Sequence, residues 1–423
     1  MNQTLLTLFF CLLSFTIAAQ QPCAQSPPDN PSLPDTPWPV YHQNSFAQNS
    51  TCLPGAAPGD MLQVIHGTTP FNRPSPWLYF TEPYPNGQRA IIGVNSTHAY
   101  KLYFDGNELI TIDSLRIDFE RLDFGWNFLL TNEKVWFTYD TVNGESSIFK
   151  LSDADTSDLF SEIVVLDTFK LADIGVGETT FYNLTYDGRI AFKSDEGIVG
   201  VISPDFAEWD TLQLPLASGE SSVHNGFPID ENKSIYIETT AKMLRVDWDG
   251  NALSLAWTAA YDFVKDGPTG NLSTGSGTTP TLIGWEQGED KLVVLADGHN
   301  RNNLVAFWRD ELPSGWTGVP GMDIRFADSI AIPFAVNLNY GFLSIENSPT
   351  AYGYDIVCTQ YNGFIPDCNP AKGVQKIRWN TISDSFEVVW ATDSVNFNGV
   401  PTYSSATNLV YGSGRESDCN YYY

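Results

Sequence analysis

The 423-residue sequence predicts an all-β fold, a β-propeller of six or seven four-stranded blades. Three observations carry that prediction. The chain is filled with short runs rich in Val, Ile, Tyr, Phe, Trp and Thr, separated by Asp-Gly, Asn-Gly and other Gly- or Pro-containing turns. No long stretch of helical period interrupts them. A strand element also recurs, at Tyr100–Asp105, Ile148–Asp153, Val199–Pro204, Leu244–Asp249, Leu304–Arg309 and Gln375–Asn380, in most copies with a second apolar strand after the next turn.

A marker ahead of these pairs sets the period. It stands at Pro76, Trp126, Phe181, Phe227, Pro280, Pro349 and Pro401, at spacings of 50, 55, 46, 53, 69 and 52 residues. Units of about 50 residues with several strands match propeller blades, which bury their faces only by stacking on neighbours. A set of two-sheet sandwiches is the alternative, although some 360 residues of repeats would need several of them. The last marker leaves 23 residues. Either the segment around Met61–His66 completes that blade, or six full blades carry a tail.

Three regions follow: a signal peptide at 1–19, a Pro-rich arm at 20–59 and the propeller at 60–423. Leu5–Ile17 is a largely apolar run followed by small residues, as in a secretory signal, and is too short for a spanning helix. The mature chain is therefore expected to be secreted, extracellular or periplasmic, without a membrane span. The arm reads as extended rather than packed. Export favours disulfides, so Cys358 and Cys368 are expected to pair across the loop that lengthens one repeat. Cys23–Cys52 could tie down the arm, and Cys419 is left odd. Sequons at Asn49, Asn95, Asn183, Asn232 and Asn271 permit a glycoprotein.

With 50 acidic against 22 basic residues, the net charge of −28 excludes nucleic acid and anionic membrane surfaces as natural partners. A small molecule, a glycan or an extracellular protein remains. Nucleophile-elbow, zincin, C-x-x-C and phosphate-loop motifs are missing.

A propeller's inner strands line an axial channel, so positions at a fixed offset form a ring. Three residues before each marker stand Arg73, Asp123, Glu178, His224, Gly277, Glu346 and Asn398, with Asn225, Thr278, Thr279 and Asn347 beside them. Converging carboxylate and amide oxygens suit Ca²⁺ or Mg²⁺, and His224 shifts the preference toward Zn²⁺. Asp123, Glu178, His224 and Glu346 are the candidate metal ligands, although a hydrated channel without an ion explains the same residues. Asp297, His299, Asn300 and Arg301 fall on one loop, where His299 could carry a proton or all four could be solvated turn residues. The acidic run Asp153–Asp158 lacks the Gly and Glu of an EF-hand and reads as a solvated turn.

Leu244–Trp257 resembles the blade repeat of quinoprotein-alcohol-dehydrogenase-like propellers, where a strand, an Asp, a Gly turn and a docking Trp recur. Ile377–Trp390 is a looser copy. The resemblance implies the fold. Those enzymes hold pyrroloquinoline quinone beside adjacent cysteines, which this chain lacks, so that cofactor is not expected. Two functions stay open: a secreted module binding a ligand through channel and top-face loops, or a metal-dependent hydrolase, lactonase-like, or oxidoreductase working in the channel.

Overall fold

Alternating apolar runs broken by tight turns have one economical solution, antiparallel strands paired in sequence order. The computed structural model describes residues 25–60, 78–94, 97–117, 128–222, 225–262, 275–299, 301–334, 345–360, 372–395, 397, 399–415 and 421–422. Within them the strands form seven blades in a ring, so the count of six is excluded.

Blade 1 holds Leu78–Phe80, Ile91–Val94, His98–Phe104 and Leu109–Arg116; blade 2 holds Leu129–Leu130, Trp136–Val142, Glu145–Asp153 and Ile163–Lys170. Blade 3 holds Thr179–Leu184, Ile190–Ser194, Ile198–Ile202 and Trp209–Gln213. Blade 4 has Ser234–Glu238, Lys242–Trp248 and Leu253–Ala260, with Ile229 bridging Ile235 at the inner position. Blade 5 holds Thr281–Ile283, Leu292–Ala296, Asn303–Trp308 and Phe326–Ala331; blade 6 holds Thr350–Tyr352, Asp355–Thr359, Val374–Asn380 and Ser385–Thr392. Blade 7 contains Thr402–Ser404 and Leu409–Tyr411.

The ring closes on a strand that the sequence reading placed elsewhere. Ser50–Thr51 pairs in parallel with Tyr403 and Ser404 of blade 7. The closing strand therefore comes from the arm, and Met61–His66 lies outside the described residues.

The cores lie between blades. Ile148, Leu151 and Tyr182 belong to one cluster spanning blades 1 to 3, and Ile283, Trp308, Ile356 and Trp379 to another joining blades 5 and 6. Three tryptophans of the repeats link neighbouring blades, while Trp390 is exposed. Trp248 Nε1 donates to Asp187 of blade 3 (3.0 Å), and Trp379 Nε1 donates to Asp290 of blade 5 (2.8 Å). Trp257 donates across to the Arg309 carbonyl (3.1 Å).

A second device joins the outer rims. Asp113 of blade 1 accepts the Ile163 N–H of blade 2, Asp210 of blade 3 that of Leu253 in blade 4, and Asp328 of blade 5 that of Phe386 in blade 6, each at 2.7 Å. Each carboxylate satisfies an N–H at the start of the next blade's outer strand, which would otherwise be an open edge.

The arm is packed, contrary to the expectation of a loose extension. Val40, His42, Phe46, Gln48 and Asn49 are all buried. Its carbonyls run past the inner strands, accepting Phe80 N–H at Trp38 (3.1 Å), Asn132 at Ser32 (3.1 Å), Ile229 at Ser45 (2.8 Å), Leu282 at Phe46 (2.9 Å), Ala351 at Gln48 (2.9 Å) and Tyr403 at Asn49 (3.0 Å). Blade 3 is reached by Asn30 Nδ2, which donates to the Leu184 carbonyl (3.0 Å).

Three further expectations meet the structure here. Cys358 is a free thiol, fully buried in the core of blades 5 and 6, so the bridge to Cys368 is not formed. Its side chain lies in apolar packing; Cys368, like Cys23 and Cys419, lies outside the described residues. Asn49 and Asn183 are buried and their amides donate to the Pro349 and Phe227 carbonyls, which closes both sequons to a glycan, whereas Asn232 is exposed. Asn95, Asn271 and the apolar run at 5–17 are not among the described residues, and no described helix is long and apolar enough to cross a membrane.

Candidate functional site

Residues opening the inner strands sit at one end of the axis, so the offset argument from sequence can be followed blade by blade. Arg73, Asp123, His224 and Asn398 lie outside the described residues. The remaining candidates from blades 4, 5 and 6 do come together, but mostly through hydrogen bonds to one another. Asn225 Nδ2 donates to the Ser276 carbonyl (3.4 Å), Gly226 N–H to Thr279 Oγ1 (3.1 Å) and Thr279 N–H to Ser348 Oγ (2.9 Å). Thr278 Oγ1 accepts Ala296 N–H (3.0 Å), and Asn347 Nδ2 donates to Thr359 Oγ1 (3.0 Å).

Gly277 holds the ring position of blade 5 because Glu346 packs on it. A Cβ there would lie 2.6 Å from Glu346 Cγ. Glu346 and Asn347 are both buried. Glu178 is half-buried, and its carbonyl accepts Asp195 N–H (3.2 Å) within its own blade. Among the described residues no group of three or more His, Cys, Asp or Glu side chains could hold a metal ion.

The arm reaches this end as well. Tyr41 is hydrogen-bonded through its phenol to Thr279, and its ring lies edge-on to Phe181 (4.8 Å between centroids). Beside it sits a pair that sequence reasoning missed. Lys193 Nζ and Glu238 Oε1 are 3.4 Å apart and fully buried. Burial pushes the Glu238 carboxyl up to about 8 and the Lys193 ammonium down, so both shifts disfavour the charged pair. Glu238 Oε2 has no hydrogen-bond partner among the described residues. Strand patterning gave no hint of either residue, because each occupies a position that reads as ordinary strand interior.

The Asp297 loop is shaped by its own carboxylate. Asp297 is buried and accepts from Asn303 Nδ2 (2.6 Å), Asn303 N–H (2.9 Å) and His299 N–H (3.2 Å). Burial raises its pKa, against the lowering effect of those bonds. His299 is exposed, with Nδ1 accepting Arg301 N–H (3.4 Å), and Asn300 lies outside the described residues. The geometry is that of a self-contained turn. Asp153 departs from the solvated turn read from its sequence. It is buried, bonded to Lys101 Nζ (2.5 Å) and the Tyr84 hydroxyl (2.5 Å), while Asp155 and Asp158 do shape an exposed turn. A cleft lined by Tyr84, Lys134, Trp136 and Asp153 encloses about 10 Å³, room for one water and not for a small-molecule ligand.

No protein-family model matches the chain. It is 29% identical over 419 residues to an uncharacterized protein from Archaeoglobus fulgidus, covering 93% of this chain and 79% of that one. Among solved structures it is similar to Saccharomyces cerevisiae Sqt1, with TM-score 0.50, 6% identity, and coverage of 80% of this chain and 81% of that one. A Bacteroides fragilis protein provisionally named a 6-phosphogluconolactonase gives TM-score 0.45 at 11% identity, over 80% of this chain and 94% of that one. At such identities the likeness is one of propeller fold alone.

Proposed function

We propose that the chain is an exported, non-catalytic β-propeller that binds a glycan or protein partner through its face loops and outer rim. One observation carries this reading: residues 45–49 line the inner strands of blades 4 to 7, where a channel enzyme would need space for substrate. The apolar run at 5–17 supports export. Exposed Phe160, Leu166, Trp209 and Trp390 supply apolar and stacking surface at the periphery. Ligand entry deep into the channel, part of the sequence expectation, gives way to contact at the surface.

The hydrolase alternative requires Asp123, Glu178, His224 and Glu346 to hold a divalent cation. A calorimetric melt in EDTA, then in excess Ca²⁺, Mg²⁺ or Zn²⁺, separates the two. The binding module should melt identically in all four conditions. A metal-dependent rise that Glu346→Gln blunts, together with metal-dependent lactone hydrolysis lost in that variant, would replace the binding reading with the enzyme.

A further inference from the structure

An inner strand facing an axis is a sheet edge, and its outward N–H groups stay without protein partners until a further segment supplies acceptors. In this ring the acceptors come from the arm, at Ser32, Trp38, Ser45, Phe46, Gln48 and Asn49. Pro27, Pro28, Pro31, Pro34, Pro37 and Pro39 have no N–H, so much of the arm is a poor strand itself. Its amide side chains face the other way chemically and donate: Asn30 to the Leu184 carbonyl, Gln48 Nε2 to the Leu282 carbonyl (2.9 Å) and Asn49 Nδ2 to the Pro349 carbonyl (3.4 Å). Phe46 is the apolar anchor, fully buried with Tyr236, Leu282 and Phe307, and with the Arg309 guanidinium 5.0 Å from its ring. Backbone acceptors, amide donors and one aromatic anchor are the parts of a peptide-recognition site.

We infer that the axial edges of the seven blades form one peptide-binding site for a turn-rich, Pro- and amide-rich segment, which the chain fills in cis with residues 30–51. Occupancy does two jobs. It satisfies N–H groups from six blades, and through Ser50–Thr51 it joins the first described segment to the last blade. The arm is in this sense a ligand that happens to be covalently attached, and the ring's stability is linked to its binding.

The test separates the arm from the ring without removing either. A site-specific protease sequence is inserted after Gly59, where the chain is exposed and nothing lies within 4 Å of an added Cβ. The folded full-length protein is then cut, under reducing conditions so that no disulfide tethers the fragment. The arm should stay with the ring through gel filtration, and melting should become dependent on protein concentration, because a unimolecular transition has become bimolecular. Denaturing and refolding the cut protein with excess labelled peptide of residues 25–53 should give a ring carrying one labelled peptide. The same peptide with Phe46→Ala and Gln48→Ala should fail to compete. Loss of arm and fold together on cutting also supports the site, since the ring then depends on occupancy. Release of the arm from a ring that keeps the uncut protein's melt would overturn it, as would a refolded ring that takes up no labelled peptide.

Discussion

Lowering the pH from 7 toward 4 should loosen the arm through a single imidazole. His42 is fully buried, its Nδ1 lies 2.7 Å from Asn49 Oδ1, and burial depresses its pKa from 6.5 to about 3. The unfolded chain takes up a proton below about pH 6.5, whereas the folded chain keeps the ring neutral until about pH 3. The unfolded state therefore holds more protons across that window, and stability falls as pH drops through it. At pH 4 the difference amounts to roughly 3 kcal/mol relative to neutral pH. Carboxylates add their own pH dependence, so the measurement is a difference between two proteins. His42 has φ 61°, a conformation that Asn tolerates, and His42→Asn keeps a polar group beside Asn49 while removing the titration. Urea melts of both chains from pH 7 to 4 should show the native protein losing stability faster, the gap narrowing or reversing by about that amount. A gap that stays constant with pH would refute the argument.

Other outcomes follow from burial and capping. Phe46→Ala should cost about 3–5 kcal/mol in a urea melt, while Trp390→Ala, at 41% exposure, should cost well under half of that. Asp113→Ala, Asp210→Ala and Asp328→Ala should each lose about 1–3 kcal/mol by leaving a rim N–H without its acceptor, read by the same melts. Cys358, whose thiol is pushed up to about 12 by burial, should resist an alkylating reagent in the native protein and react at once in denaturant, with mass spectrometry as the readout.

The blades were legible because their physics is local. Alternation, Asp-Gly turns and a 50-residue spacing are set by neighbours in sequence, and Trp248 and Trp379 sit at equivalent strand ends. The channel was legible only in part. The offset rule located Gly277 and Glu346 at matching positions, yet it could not show that one is glycine because the other packs on it. The arm was misread for a physical reason. Proline removes N–H groups and so looks incompatible with a folded interior, but carbonyls alone suffice when the partner offers N–H groups. A usable sign was present: from Thr36 to Gly59 there is no Asp, Glu, Lys or Arg, in a sequence that is 17% charged. Lys193 and Glu238 left no such trace, since a buried ion pair depends on two blades meeting.

The rim carboxylates described above couple blades 1 with 2, 3 with 4 and 5 with 6. Dimer-wise coupling cannot tile an odd ring, and seven leaves a remainder. That remainder is blade 7, where Ser50–Thr51 meets Tyr403 and Ser404. Parity thus places the unpaired member and the meeting point of the arm with the last blade at one joint. Pulling the first described segment away from the ring would have to break its hydrogen bonds to blades 1, 2, 4, 5 and 6 before the load reached that seam.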